Sequence, residues 1–405
     1  MATDASRRPH HTGLVLLALA MGGFAIGTTE FAAMSLLPYF ANGLNIDEPT
    51  AGHVISAYAL GVVVGAPIIA VLAARLPRYV LLIGLMTVFA LANGLSALAP
   101  TYETMLLFRF FSGLPHGAYF GVAALVAVSL VPPERRSQAV ARVMLGLTVA
   151  TIIGVPAASW IGQGIGWRWG FGLVAVLAAM TVLLVWLFAP RDGGHAAASP
   201  YRELTALKRP QVWLTLGVGA IGFGGMFCVY SYLASTLMAD TQAPESVIPI
   251  VLAVFGLGMT VGNLVGGWAA DRAQMPAIAG MLLWSAMSLA LYSLATENIW
   301  AVGAVVFMVG CGGGLGAMLQ TRLMDVAGDA QTLAAALNHS AFNIANAVGP
   351  WVGGLAIAAG WGWASTGWVG ALLALGGFVV LVVSILWDRV ERRSRTARVC
   401  DETAG

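Results

Sequence analysis

The sequence predicts an all-α polytopic membrane protein, with twelve transmembrane helices in two six-helix bundles related by pseudo-two-fold symmetry and both termini cytoplasmic. Three observations predict this. Of the 405 residues, 59% are hydrophobic and only 9% are charged, whereas soluble domains carry about 25% charged residues. Apolar runs longer than about 18 residues, enough to cross a bilayer as a helix, recur from Gly13 to Trp387. Finally, segments of the first half reappear in the second at a nearly constant offset.

The first apolar run reaches from Gly13 to about Phe40. It is far longer than the roughly 7–15-residue core of a secretory signal, and no small-residue cleavage site follows, so it reads as a retained span. Further spans are expected near 51–74, 79–99, 102–131, 139–162, 169–190, 211–238, 247–270, 277–296, 299–323, 333–360 and 364–387. The connecting segments then alternate between two sides. One side holds 18 of the 20 basic residues, among them Arg75, Arg78, Arg135, Arg136 and Arg272, and the other holds only Arg168. The positive-inside rule makes the basic side cytoplasmic.

The longest polar interruption, Pro190 to Pro210, is a Gly/Ala/Ser/Pro-containing linker of mixed charge. It divides the chain into a tail (1–12), an N-terminal bundle (13–190), the linker (191–210), a C-terminal bundle (211–387) and a second tail (388–405). Internal similarity supports the division. "GAPIIAVLAAR" at Gly65 aligns without gaps on "GNLVGGWAADR" at Gly262, an offset of 197 residues, and "SALAPTYE" matches "YSLATENI" at an offset of 196. Two related halves are the hallmark of transporters built from repeats.

With the spans placed, charge singles out a few positions. Of 18 acidic residues, Glu30 is the only one deep in a span, and Arg109 is the only basic residue well inside one. A charge at the bilayer centre costs roughly 2.5–3.5 kcal/mol on insertion scales, so such groups face a cavity or a partner. Glu30 lies ~15 Å from the outer end of its span and Arg109 ~10 Å from the outer start of its own, at about 1.5 Å per residue. His116, seven residues beyond Arg109, shares its helix face. A histidine titrates near neutrality. We therefore read Glu30 as the proton carrier, Arg109 as the charge that tunes it and His116 as an auxiliary proton or substrate group. The competing reading is a static clamp between the two helices, with His116 hydrogen-bonded to a neighbouring carbonyl.

In the eleventh span, His339, Asn343 and Asn346 recur at i, i+4 and i+7 and form one polar stripe. The stripe suits a substrate-binding face, or else interhelical hydrogen bonding. Tyr230 and Asn263 are further substrate-binding candidates, although tyrosines near span ends also serve as interfacial anchors. The run "GCGGGLG" at Gly310 lacks the lysine and strand-to-helix context of a phosphate loop and reads as helix packing surface. Cys228, Cys311 and Cys400 have no metal-ligand spacing. No cofactor, metal or nucleic-acid partner is expected, and no clustered His, Asp or Cys constellation suggests an enzyme. The expected partners are the lipid bilayer, protons and a small-molecule substrate, with the chain working as a monomer.

These residues also carry a family resemblance. "GAPIIAVLAARLPR" resembles motif A of the major facilitator superfamily, with Arg75 and Arg78 as its basic residues. Ala74 stands where that motif has an aspartate, whereas the second half keeps Asp271 and Arg272. The gating charge relay that the resemblance implies thus lacks its acid in the first half. "LLFRFFSGLPHGAYFG" resembles motif B with Arg109 as the motif arginine. "GLTVATIIGVPAASWIG" resembles the antiporter motif C, with Gly154 and Pro156, but has Gly-Val-Pro where Gly-Pro is commoner. "GTTEF" resembles the first-span motif of proton-driven drug exporters. The chain is similar to the twelve-span drug:proton antiporter branch, and within it to arabinose-efflux-like and chloramphenicol-resistance-like exporters. The resemblance implies proton-coupled efflux of small organic molecules such as drugs or sugars by alternating access, in the inner membrane of a bacterium. The alternative is a proton-coupled importer or facilitator of a small metabolite.

Overall fold

Helices make up all regular secondary structure among the described residues, which are 12–46, 48–73, 75–191, 203–244 and 247–404 of the computed structural model. The first tail, most of the expected linker and Ala74 lie outside them. The first spans are α1 (Thr12–Ser35), α2 (Glu48–Leu72), α3 (Arg78–Ala97) and α4 (Tyr102–Ser129). Then come α5 (Arg136–Val149 and Val155–Gly164), α6 (Trp167–Phe188) and α7 (Pro210–Gly222 and Gly224–Ala239). After a 48-residue helix, Ile248–Ala295, follow α10 (Ile299–Cys311 and Leu315–Ala327), α11 (Gln331–Ala358) and α12 (Ser365–Ala404).

The 48-residue helix would be ~72 Å long if straight, at about 1.5 Å per residue. That is more than twice the ~30 Å hydrocarbon core of a bilayer. Its backbone leaves helical geometry at Ala273 (φ −156°, ψ 81°), so it comprises two spans, α8 (248–272) and α9 (274–295). The break falls just after Asp271 and Arg272, inside the expected loop, and completes twelve spans. The first span is shorter than expected: α1 stops at Ser35 and a separate short helix, Leu37–Gly43, follows with a proline in its first turn.

Local sequence explains several ends and bends. Thr101 accepts a hydrogen bond from the Thr104 N–H in a capping box that starts α4, and Asn298 caps α10 through Trp300 and Ala301. In α5 a π-turn at Ala150–Gly154 immediately precedes Pro156. Proline cannot donate to the carbonyl four residues back, and a widened turn accommodates that loss.

Glycines set how closely the helices approach. A Cβ at Gly146 would collide with the Ala20 carbonyl of α1, and one at Gly154 with the Thr28 hydroxyl. Between the halves, Gly117 and Gly121 of α4 lie against Ala336 of α11, and Gly267 of α8 lies against Ala141 and the Ser137 carbonyl of α5. These two seams close the basic end of the molecule over a central cavity.

Candidate functional site

The cavity lies between the halves and measures ≈ 50 Å³. Its wall is mostly apolar: Phe31, Met144, Leu147, Phe223, Met226, Phe227, Met259 and Phe342. Polar groups enter from both halves, namely Glu30 (α1), His116 (α4), Thr148 (α5), Asn263 (α8), and His339 and Asn343 (α11). The sequence-predicted residues Glu30, His116, Asn263, His339 and Asn343 are thus brought together. Tyr230 and Asn346 are not part of this wall. Tyr230 sits beside it, edge-on to Phe31 at 5.9 Å and tilted against Phe255 at 4.7 Å.

Arg109 is fully buried, with 0% exposure. Its Nη1 donates to Thr29 Oγ1 at 2.9 Å and reaches Ser112 Oγ at 3.5 Å. Thr29 in turn donates to Asn93 Oδ1 of α3 at 2.7 Å. The guanidinium also lies 4.4 Å from the Tyr58 ring centroid of α2, a cation–π distance. Arg109 and Glu30 feel one another's charge, but no ion pair joins them. The reason is helical geometry: Thr29 and Glu30 are consecutive and point in directions about 100° apart. One meets the arginine while the other lines the cavity.

His116 Nδ1 and the Tyr58 hydroxyl are 2.9 Å apart, so Tyr58 touches both Arg109 and His116. His339 stacks on Phe120 at 4.2 Å, and its Nε2 has no protein partner although it is buried. Asn343 donates to the His339 carbonyl at 3.0 Å, a bond within α11 itself. Asn263 donates to the Ala141 carbonyl of α5 at 2.7 Å and so ties the two halves together as well as facing the cavity. Thr29, Tyr58 and Asn93 escaped the sequence reading. A lone threonine or tyrosine in an apolar span carries no periodic signal, and only the packing of α1 to α4 reveals these three.

None of the residues expected at the gates lines this cavity. Both Asp271 carboxylate oxygens accept backbone N–H bonds at the start of α5, from Ser137 at 2.7 Å and Gln138 at 3.1 Å. A carboxylate there satisfies free N–H groups and complements the helix dipole. Arg272 stacks on Trp268 at 3.7 Å. Arg75 is exposed and Arg78 is half-buried. Gly154 packs against α1, while Pro156 in the following turn is exposed.

Comparison with known proteins agrees with this architecture. The family model described as "Major Facilitator Superfamily" matches residues 19–238 and 215–404. The inner membrane transport protein YdhP of Escherichia coli (strain K12) is 41% identical over 91% of this chain and 94% of its own. The chloramphenicol resistance protein of Streptomyces lividans is 34% identical over 92% of this chain and 95% of its own. Among solved structures, a variant of the E. coli fucose:proton symporter FucP aligns with a TM-score of 0.73 at 15% identity, covering 92% of this chain and 98% of that one. At that identity the likeness is one of fold.

Proposed function

We propose that this chain, which belongs to the Major Facilitator Superfamily and is a multi-pass inner-membrane transporter, exports small amphipathic organic molecules in exchange for protons. The observation that carries the proposal is Glu30, a carboxylate deep in α1 that lines the cavity between the halves. A membrane-embedded acid facing a cavity is poised to exchange a proton with whichever side the cavity opens to. Each proton that returns down the potential releases about 2.3 kcal/mol per 100 mV, which can drive export.

Arg109 acts on Glu30 through space, and the bonds to Thr29 and the Tyr58 ring hold its charge in place. Tyr58 links this charge to His116, so a proton held at Glu30 and a ligand held near His116 sense one environment. The unpartnered His339 Nε2 is a ready hydrogen-bond partner for a substrate from the second half.

The lining favours an aromatic or lipophilic substrate with a few polar groups over a sugar. A polyhydroxylated ligand would leave most of its hydroxyls against Phe and Met side chains, each unsatisfied group costing free energy. The relative from S. lividans, a chloramphenicol resistance protein, fits that preference.

The test uses inside-out vesicles. Addition of a substrate should release protons and dissipate an imposed gradient, with amphipathic antibiotics more effective than sugars. The E30Q variant should express normally and retain counterflow exchange but lose proton-driven export. Undiminished proton-driven export in E30Q would rule out Glu30 as the coupling site, and proton uptake with substrate entry would reverse the direction.

A further inference from the structure

The two halves treat the same position differently. In the second half, Asp271 caps the start of α5 across the basic-end seam. The internal repeat maps Asp271 onto position 74, 197 residues earlier, and maps the start of α5 onto the start of α11. Position 74 is alanine, so the repeat-equivalent position carries no carboxylate for α11. The α11 N-terminus cannot cap itself either, because the residue preceding it is Ala330.

The structure fills the gap from elsewhere. Glu203, on the part of the linker entering the short helix Leu204–Lys208, is only 6% exposed. Its Oε2 accepts the Leu333 N–H at 2.9 Å, and Thr332 and Arg78 lie within its electrostatic reach. Leu333 stands 196 residues after Ser137, within one residue of the 197 that relate Asp271 to position 74. Two further contacts dock this stretch of linker. Leu207 packs on a small cluster shared by α2 (Ala66, Ala70) and α11 (Leu333, Ala336), and Arg209 donates to the Val326 carbonyl at the end of α10.

We propose that Glu203 is a gate residue: the linker supplies the carboxylate that position 74 lacks, and its cap on α11 latches the basic end closed until the halves rock apart. The closed end then has two carboxylate caps, Asp271 on α5 and Glu203 on α11. One is carried by the opposite half, and the other by the segment that connects the halves. Arg78, the first residue of α3, acts on Glu203 through its charge and ties the linker cap to the first half. The inference rests on the transporter reading only in requiring that the two halves move.

The test places spin labels at exposed basic-end positions of each half, L76C and D329C, with Cys228, Cys311 and Cys400 replaced by serine. Distances are measured by pulsed electron resonance in nanodiscs. The parent should give a predominantly short distance. E203A should lower the ratio of short to long distances about tenfold, the order carried by one charge-assisted hydrogen bond. E203Q, which keeps an acceptor oxygen for the Leu333 N–H, should hold the short distance far better than E203A. Adding A74D to E203A should restore the short distance, because the acid returns to its repeat position. An unchanged distribution in E203A, or in E203L should E203A not fold, overturns the proposal. So does failure of A74D to restore closure, since a purely local role for Glu203 in the linker predicts no rescue. No substrate or proton gradient enters this measurement, so it stands or falls separately from the vesicle assay.

Discussion

At the scale of single residues, the deep charges were legible and their partners were not. Glu30 and Arg109 stand out because charge is expensive in a hydrocarbon layer. That Arg109 bonds Thr29 rather than Glu30 depends on a 100° step along one helix, which spacing alone does not reveal without the neighbouring helices. The guanidinium stacked on Tyr58 and bonded to Thr29 through Nη1 makes Arg109 hard to replace with lysine, whose ammonium does not stack equally. R109K should therefore reach the membrane yet lose more than about tenfold of transport in vesicles. A variant that transports normally would reduce Arg109 to a replaceable charge. Asn263 invites a different measurement, since its amide bonds the Ala141 carbonyl across the α5–α8 seam. N263L should lose about 1 kcal/mol of stability, read as a lower Tm in detergent. An unchanged Tm would assign Asn263 wholly to the ligand.

At the scale of elements, sequence periodicity and punctuation locate the helices but not their internal departures. The break between α8 and α9 is signalled by Asp271 and Arg272, and the backbone bends immediately after them at Ala273. The π-turn in α5 was not legible, because Pro156 announces a disturbance without saying how the backbone absorbs it. Glycines make the same point. The motif-C stretch singles out Gly146 but not its contact: a methyl group there would strike the Ala20 backbone, whereas at Gly84, which belongs to no motif, it meets nothing within 4 Å. G146A should cost about 1–3 kcal/mol through overpacking of α1 on α5, while G84A should leave Tm and yield unchanged. Equal behaviour of the two variants would mean that this helix pair gives way freely.

At the scale of the molecule, both halves meet at the basic end, where Asp271 caps the start of α5 and Glu203 that of α11. Burial pushes the Glu203 carboxyl above the ordinary glutamate range, and the Leu333 and Thr332 groups and the Arg78 charge offset this only in part. The sign follows from linkage. A carboxyl whose folded pKa lies above its unfolded value, about 4.3, contributes stability that is fully present below that value. The contribution is lost as pH rises through the folded pKa. Thermal stability in detergent should therefore decline over that interval, and E203Q, neutral throughout, should flatten the decline. Parallel pH profiles for the two proteins would show that Glu203 titrates as it does in the unfolded chain.

The sequence by itself determined the helical membrane class, the twelve spans, the asymmetry of the basic loops and the repeat. Each of these follows from one-dimensional quantities: length of apolar runs, position of charge and constant offset. Only the tertiary structure decided that five predicted polar residues share one cavity wall and that Asn346 does not. It alone put a linker glutamate on α11, which no pattern predicts, because Glu203 lies outside every span and its partner is 130 residues away. Contacts between distant segments depend on how helices pack and rotate, and those angles are fixed by many small steric choices, such as the glycines at the seams, rather than by any local run of residues.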